Sequence, residues 1–181
     1  MFIHHNLDMA IKEVYSDCYS FSEGLAAIKE KSGKWGFIDS TGNLVIPAKY
    51  DEVKSFSNGF AAVKSNKKWG YINKKGETIL ELEYDNLSSI NNYLGALKFQ
   101  PGGYWHIFNL NPNPNQKEKI KLFDSFYYAL SPIDGLFPVS KDGRFWGIIN
   151  QKMEWVIRDT YYKIEEGSEG YFAAERELGK W

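Results

Sequence analysis

The sequence predicts an all-β protein: tandem β-hairpin repeats of three to four strands each, stacked as an open solenoid-like array. Three observations carry this. A Trp-centred motif recurs at nearly even spacing along 181 residues. Short apolar stretches alternate with turn residues, as strands and tight turns do. No stretch holds a sustained 3.6-residue apolar period, so little helix is expected.

The repeat comes first, because a fixed period decides the architecture. Phe21-Ser22-Glu23-Gly24-Leu25-Ala26-Ala27-Ile28-Lys29 lies 35 residues before Phe56-Ser57-Asn58-Gly59-Phe60-Ala61-Ala62-Val63-Lys64. Both run into a Trp-Gly: Lys34-Trp35-Gly36-Phe37-Ile38-Asp39, then Lys68-Trp69-Gly70-Tyr71-Ile72-Asn73. A decayed copy reads Tyr104-Trp105-His106-Ile107-Phe108-Asn109, and a fourth Phe145-Trp146-Gly147-Ile148-Ile149-Asn150. Trp35, Trp69, Trp105, Trp146 and Trp181 are thus 34, 36, 41 and 35 residues apart. Between them a second motif repeats, Tyr50-Asp51-Glu52-Val53 and Tyr84-Asp85-Asn86-Leu87, with Tyr15-Ser16-Asp17-Cys18 and Tyr161-Tyr162-Lys163-Ile164 in the same slot.

Counted from Trp to Trp, one repeat domain over 1–181 divides into five parts. These are an N-terminal half-unit at 10–34, unit one at 35–68, unit two at 69–104, a degenerate unit three at 105–145, and unit four at 146–181 ending on a partial motif. The chain so read begins and ends in mid-unit. That phasing suits a closed propeller-like ring, in which the two half-units pair. The uneven spacings suit the open array.

Each element follows from local chemistry. Leu25 to Lys31 and Trp35 to Asp39 read as paired strands joined at Ser32-Gly33. Asn66-Lys67, Gly102-Gly103, Asp142-Gly143 and Leu178-Gly179 occupy the same turn later, and several favour the positive φ of tight hairpins. The next turn, Asp39-Ser40-Thr41-Gly42 or Asn73-Lys74-Lys75-Gly76, sets Asx first and Gly fourth. The Asx side chain accepts from a backbone N–H two residues on, and Gly takes the left-handed position. Leu44 to Pro47 and Thr78 to Leu82 read as third strands, and Tyr50 to Phe56 as a short turn or fourth strand.

Alternation places Trp35, Phe37 and Asp39 on one strand face, and Gly36 and Ile38 on the other. Both faces are apolar near the Trp, so the strand is expected to be covered on both sides. Glycine after Trp lets a neighbouring backbone or ring approach closely. Trp35, Gly36, Trp69, Gly70, Trp146 and Gly147 are therefore assigned a structural role. One unit cannot bury such a face alone, whereas stacking can.

These residues resemble the WG-repeat (KWG-repeat) family, widespread in bacterial proteins. The likeness rests on KWGFID at 34–39, KWGYIN at 68–73, FWGIIN at 145–150, TGNLVIPAKYDEV at 41–53 and FSNGFAAVK at 56–64. It runs from about Tyr15 to Trp181. Unit three departs from it at Trp105-His106 and at Asn109-Leu110-Asn111-Pro112-Asn113-Pro114. Unit four departs at Met153, where the turn glycine belongs. The resemblance implies a β-rich scaffold for protein interactions and no shared catalytic residue.

Composition narrows function further. Twenty-two Lys and Arg face 23 Asp and Glu, for a net charge of −1. Nucleic-acid binders usually show a basic excess, so nucleic acid is an unlikely partner. The single cysteine, Cys18, excludes an intrachain disulfide and fills the slot of Val53, as a small core residue would. No apolar run approaches the ~20 residues of a membrane helix, and no basic, apolar leader opens the chain, so a cytoplasmic protein without a membrane partner is expected. His4-His5 lacks a third ligand nearby. Nucleotide-binding, serine-hydrolase and zinc-protease motifs are absent. Glu81/Glu83 and Glu165/Glu166 lack framing that would separate acid from base roles. No enzyme activity, cofactor, metal or catalytic residue is expected.

Three features are candidates for partner binding. One is Pro101-Gly102-Gly103-Tyr104-Trp105-His106 with the Asn/Pro loop 109–116, against which stands a drifted repeat. The second is Lys67, Lys68, Lys74 and Lys75, joined by Lys64, at the hairpin tips of unit two, against which stands a solvated rim. The third is acidic bias at 154–177, with seven acids and three bases, which also keeps edges soluble. The function expected is a non-catalytic protein–protein interaction scaffold, in a specific form an inhibitor or immunity protein covering a bacterial partner. Alternatives are a ligand-binding module with aromatic pockets for quaternary amines or sugars, which needs partly exposed tryptophans, and a structural segment of a longer protein.

Overall fold

In the computed structural model, residues 15–91, 93–110, 120–166 and 171–176 are described. His4-His5, the Leu178-Gly179 turn, Trp181 and most of the Asn/Pro loop lie outside them. Every regular element among the described residues is a strand. The chain divides into two compact units, residues 1–83 and 84–181.

The first unit holds two sheets, each an antiparallel meander of four strands. β1 (Asp17–Cys18), β2 (Leu25–Lys29), β3 (Trp35–Asp39) and β4 (Leu44–Tyr50) form one. β5 (Glu52–Val53), β6 (Phe60–Ser65), β7 (Lys68–Asn73) and β8 (Thr78–Tyr84) form the next. The second unit repeats the plan. β9 (Asn86–Leu87), β10 (Leu94–Lys98), β11 (Trp105–Leu110) and β12 (Ile120–Phe126) make one sheet. β13 (Tyr128–Ala129), β14 (Phe137–Ser140), β15 (Trp146–Ile149) and β16 (Trp155–Tyr161) make another, followed by the pair β17 (Lys163–Glu166) and β18 (Phe172–Glu175).

Two features differ from the sequence reading. The third strands are longer than expected, running on through Tyr50 and Tyr84. The stretch after them is a two-residue strand that opens the following sheet, so sheets break at Asp51, Asp85, Tyr127 and Tyr162. Trp-to-Trp divisions therefore cut through sheets: β2 and β3 pair along their whole length, yet lie on opposite sides of position 35.

Packing shows why a sheet needs its neighbour. In the first unit, Trp35 and Phe37 (β3), Ile46 and Tyr50 (β4) share a core with Val53 (β5), Phe56, Ala61 and Val63 (β6) and Ile72 (β7). The Phe37 and Phe56 rings meet edge-on at 4.8 Å. Burying one such side chain contributes ~1.5–3 kcal/mol. The other face of the same sheet buries Ala26, Ile28 and Ile38 against Tyr15, Cys18 and Ala48. Both faces of the Trp strand are thus covered, and Cys18 is a partly buried packing residue. In the second unit Leu94, Ala96, Ile107 and Phe126 pack with Ala129, Phe137, Val139 and Ile149.

Turn chemistry pins the register. Asp39 Oδ1 accepts from the backbone N–H groups of Thr41 and Asn43, both at 2.9 Å. Asn73 accepts from Lys75 and Glu77, and Asn150 from Lys152 and Glu154, in the same way. Unit four keeps this turn without its glycine: Met153 takes the left-handed position itself, at φ 65°.

A further turn was missed from the sequence, although Asn58-Gly59 and Asp134-Gly135 are pairs that favour it. Ser22–Leu25, Ser57–Phe60, Asn91–Leu94 and Ile133–Leu136 each exchange two backbone hydrogen bonds. Their central residues have positive φ, as at Glu23 and Gly24, Asn58 and Gly59, or Asp134 and Gly135. These are mirror-image two-residue turns whose twist matches that of the strands.

Candidate binding cleft

The indoles of the first two Trp-Gly pairs are buried. Trp35 and Trp69 are 5% and 8% exposed. A lysine on the preceding strand, directly across the ladder, lies over each indole: Lys29 at 5.6 Å from Trp35, Lys64 at 5.4 Å from Trp69, Lys98 at 5.4 Å from Trp105. Each lysine closes its apolar stretch in the sequence, and that placement was the available signal. Trp105 and Trp146 are half-buried.

The glycine accommodates a bulge. Trp35 pairs with Tyr50 but Phe37 with Ile46, so β4 carries two extra residues opposite Gly36. A Cβ on Gly36 would stand 2.5 Å from the Ile46 carbonyl oxygen and 2.7 Å from the Ala48 nitrogen. Gly70 meets the Leu80 and Glu81 backbone, and Gly147 the Ile157 and Asp159 backbone, in the same manner. Unit three has His106 there. His106 pairs directly with Ser125, and the register slips by only one residue before Phe108–Leu122. The half-buried imidazole meets Phe99 edge-on at 5.3 Å.

The lysine set is not one patch. Lys67 and Lys68 sit at the β6–β7 turn, whereas Lys74 and Lys75 sit at the β7–β8 turn. The six-residue strand β7 separates them by roughly 20 Å. Lys74 donates to the Glu23 carbonyl at 3.0 Å and pairs with its carboxylate at 3.2 Å. The same carboxylate accepts from the Gly59 N–H at 2.9 Å. Lys64 pairs with Glu52 at 2.6 Å. Lys74 thus ties the first unit's two sheets together, whereas Lys64–Glu52 is a cross-strand pair within the second of them.

A second clamp joins those sheets at the hairpin tips. Asp51 Oδ1 accepts from Lys34 Nζ at 2.5 Å, and Oδ2 accepts from the Asn66 N–H at 2.9 Å. The Lys34 ammonium, helped by that N–H, holds the Asp51 carboxyl below its ordinary value. Asp39 is lowered by the Thr41 hydroxyl and the Asn43 N–H, and Asp142 by the N–H groups of Arg144 and Phe145. All three shifts belong to turns or junctions. Among the described residues no group of three or more His, Cys, Asp or Glu stands close enough to hold a metal ion.

The clamp positions change identity along the chain. The residue before Trp is Lys34, Lys68, Tyr104 and Phe145; the residue after the core aromatic is Asp51, Asp85, Tyr127 and Tyr162. An ion pair in unit one thus becomes an aromatic pair in units three and four. Tyr104 and Tyr127 meet at 6.1 Å and 83°, Phe145 and Tyr162 at 5.3 Å. The run continues with Tyr127 against Tyr128 at 4.8 Å and 79°, and Tyr128 stacked on Trp146 at 5.8 Å and 9°. Tyr104, Tyr127 and Tyr128 are 54%, 47% and 43% exposed. With Lys98, Gly102 and Gly103 they line a cleft of about 250 Å³. Of these residues Gly102, Gly103 and Tyr104 stand in a segment singled out from sequence; Tyr127 and Tyr128 lie inside the apolar run Phe126-Tyr127-Tyr128-Ala129-Leu130.

The model of the family described as WG containing repeat matches four times, at residues 1–35, 35–69, 69–96 and 146–181. The chain belongs to the WG-repeat family. The stretch left unmatched, 97–145, contains His106, the reduced bulge and all six residues lining the cleft. The cleft is thus made where this WG-repeat chain departs from the WG pattern. No curated protein matches the chain.

Proposed function

We propose that this WG-repeat chain is a non-catalytic protein–protein interaction scaffold acting in the cytoplasm, and specifically an inhibitor or immunity protein that covers a bacterial partner. The observation that carries this is the tyrosine surface. Thirteen large apolar side chains are exposed among the described residues, and seven are tyrosines. Tyrosine is enriched at protein interfaces, because it brings a broad contact area at small entropic cost together with a polar tip.

Two further facts support the reading. Three sheet edges are poor strand-pairing templates: β4 carries the bulge, Pro47 and Lys49, while β8 and β16 carry Glu81, Glu83, Arg158 and Asp159. Charge, proline and bulges discourage edge-to-edge association, which leaves side-chain surface as the means of contact. The carboxylates with displaced pKa serve turns and clamps, whereas catalytic groups gather in clefts with opposed shifts. The test is co-purification with the product of the adjacent gene. A stoichiometric complex that blocks the partner's activity supports the proposal; a partner that stays fully active in the complex, or no complex, overturns it.

A further inference from the structure

The cleft between Tyr104, Tyr127 and Tyr128 has a chemistry the scaffold reading does not require. We propose that it binds one carboxylated sugar ring, of the hexuronate type. Its size sets the first limit: about 250 Å³ is below the ~300–1,000 Å³ of pockets for drug-sized ligands and suits a single ring. Shape sets the second. The Tyr104–Tyr127 and Tyr127–Tyr128 ring planes meet at 83° and 79°, so phenol faces and edges form a corner. A sugar packs its C–H face on one phenol ring and offers hydroxyls to the three phenol O–H groups nearby. Gly102 and Gly103 add backbone without side chains.

Charge sets the third limit. Lys98 is the cation in the lining, and no Asp or Glu lines the cleft. Its ammonium is positioned 5.4 Å over Trp105. A quaternary amine would meet a like charge here with no carboxylate to offset it. An aromatic or prolyl side chain of a protein would fill the corner but leave the ammonium and the phenol hydroxyls unmatched. A uronate ring supplies an apolar face, hydroxyls and a carboxylate together, and a charge-assisted hydrogen bond from Lys98 is the strongest contact available.

The origin of the site suggests its control. Where the cleft has Tyr104 and Tyr127, the first unit has Lys34 and Asp51 at 2.5 Å. The double variant Tyr104→Lys/Tyr127→Asp therefore restores a pairing this architecture already carries and removes the aromatic corner. Calorimetric titration of the full chain would use tri-galacturonic acid, galactotriose, choline and triglutamate. The acidic trisaccharide is expected to bind at least about tenfold more tightly than the other three, the factor one charge-assisted hydrogen bond supplies. Lys98→Gln is expected to bring its affinity down to that of galactotriose. The double variant is expected to lose binding while keeping the parent's circular dichroism spectrum. Equal binding of choline, galactotriose or triglutamate overturns the proposal, as does affinity for the acidic trisaccharide that stays at the parent's level in either variant, or no binding by the parent.

Discussion

At Gly36 a methyl group would meet backbone on the opposite strand, at 2.5 Å from one carbonyl oxygen and 2.9 Å from the Ala48 Cα. Backbone cannot rotate away as a side-chain tip can. Gly36→Ala is expected to destabilise the chain by about 2–3 kcal/mol, as overpacking at a tight site does, read from urea unfolding. Trp69 poses the opposite case, a large side chain removed. Trp69→Ala is expected to cost roughly 3–5 kcal/mol in the same assay, the range for truncating a buried aromatic. A near-neutral result would show that the indole contributes no packing. Lys67 is exposed, with φ 66° beside Asn66 at 50°. Lys67→Gly creates the Asn-Gly pair that mirror-image turns prefer, and is expected to raise stability by about 0.5–1 kcal/mol.

Among elements, turns and junctions each hold a carboxylate in its charged form. Asp39, Asp51 and Asp142 all have carboxyls lowered from an ordinary 3.8 in the folded chain. Depressed groups stabilise the fold above their unfolded value, and that contribution is lost as pH falls through the folded value. Stability should therefore be flat through neutral pH and decline below about pH 4. Asp51→Asn removes the Lys34 partner and should flatten that acid limb in a pH series of thermal melts. The same elements show how far the sequence was legible. Asx turns and the Trp-strand hairpins could be read because Asp39, Gly42 and Gly36 each have a local steric or hydrogen-bonding reason. Sheet boundaries could not, because Glu52–Val53 continues the third strand in sequence and leaves it only through the junction at Asp51. Positive φ at Glu23 was hidden, since glutamate gives no sign of a left-handed turn. Tyr127 and Tyr128 were hidden for another reason: exposure is decided by what replaces Asp51 two sheets later, and a single segment does not display it.

Taken whole, the chain is an all-β protein whose strands pair with neighbours in sequence. Among the described residues every sheet is a meander of strands consecutive in sequence. Two of the clusters among the described residues are local in the same way: one draws on residues between Leu25 and Leu82, another on residues between Leu94 and Trp155. In repeat proteins stability is close to a sum of unit terms and neighbouring interfaces. A cavity made in one cluster should therefore weaken the sheets that share it before it weakens others. Ile72 is fully buried in the first cluster, and Ile72→Ala should cost about 2–5 kcal/mol there. Native-state hydrogen exchange reads such local losses directly. Amides of β2, β3, β6 and β7 should lose protection by more than about tenfold, and those of β10, β11 and β14 by less than about threefold. Equal loss throughout would mean that residues 1–83 and 84–181 unfold as one cooperative body. The tyrosine cleft would then depend on the stability of both units.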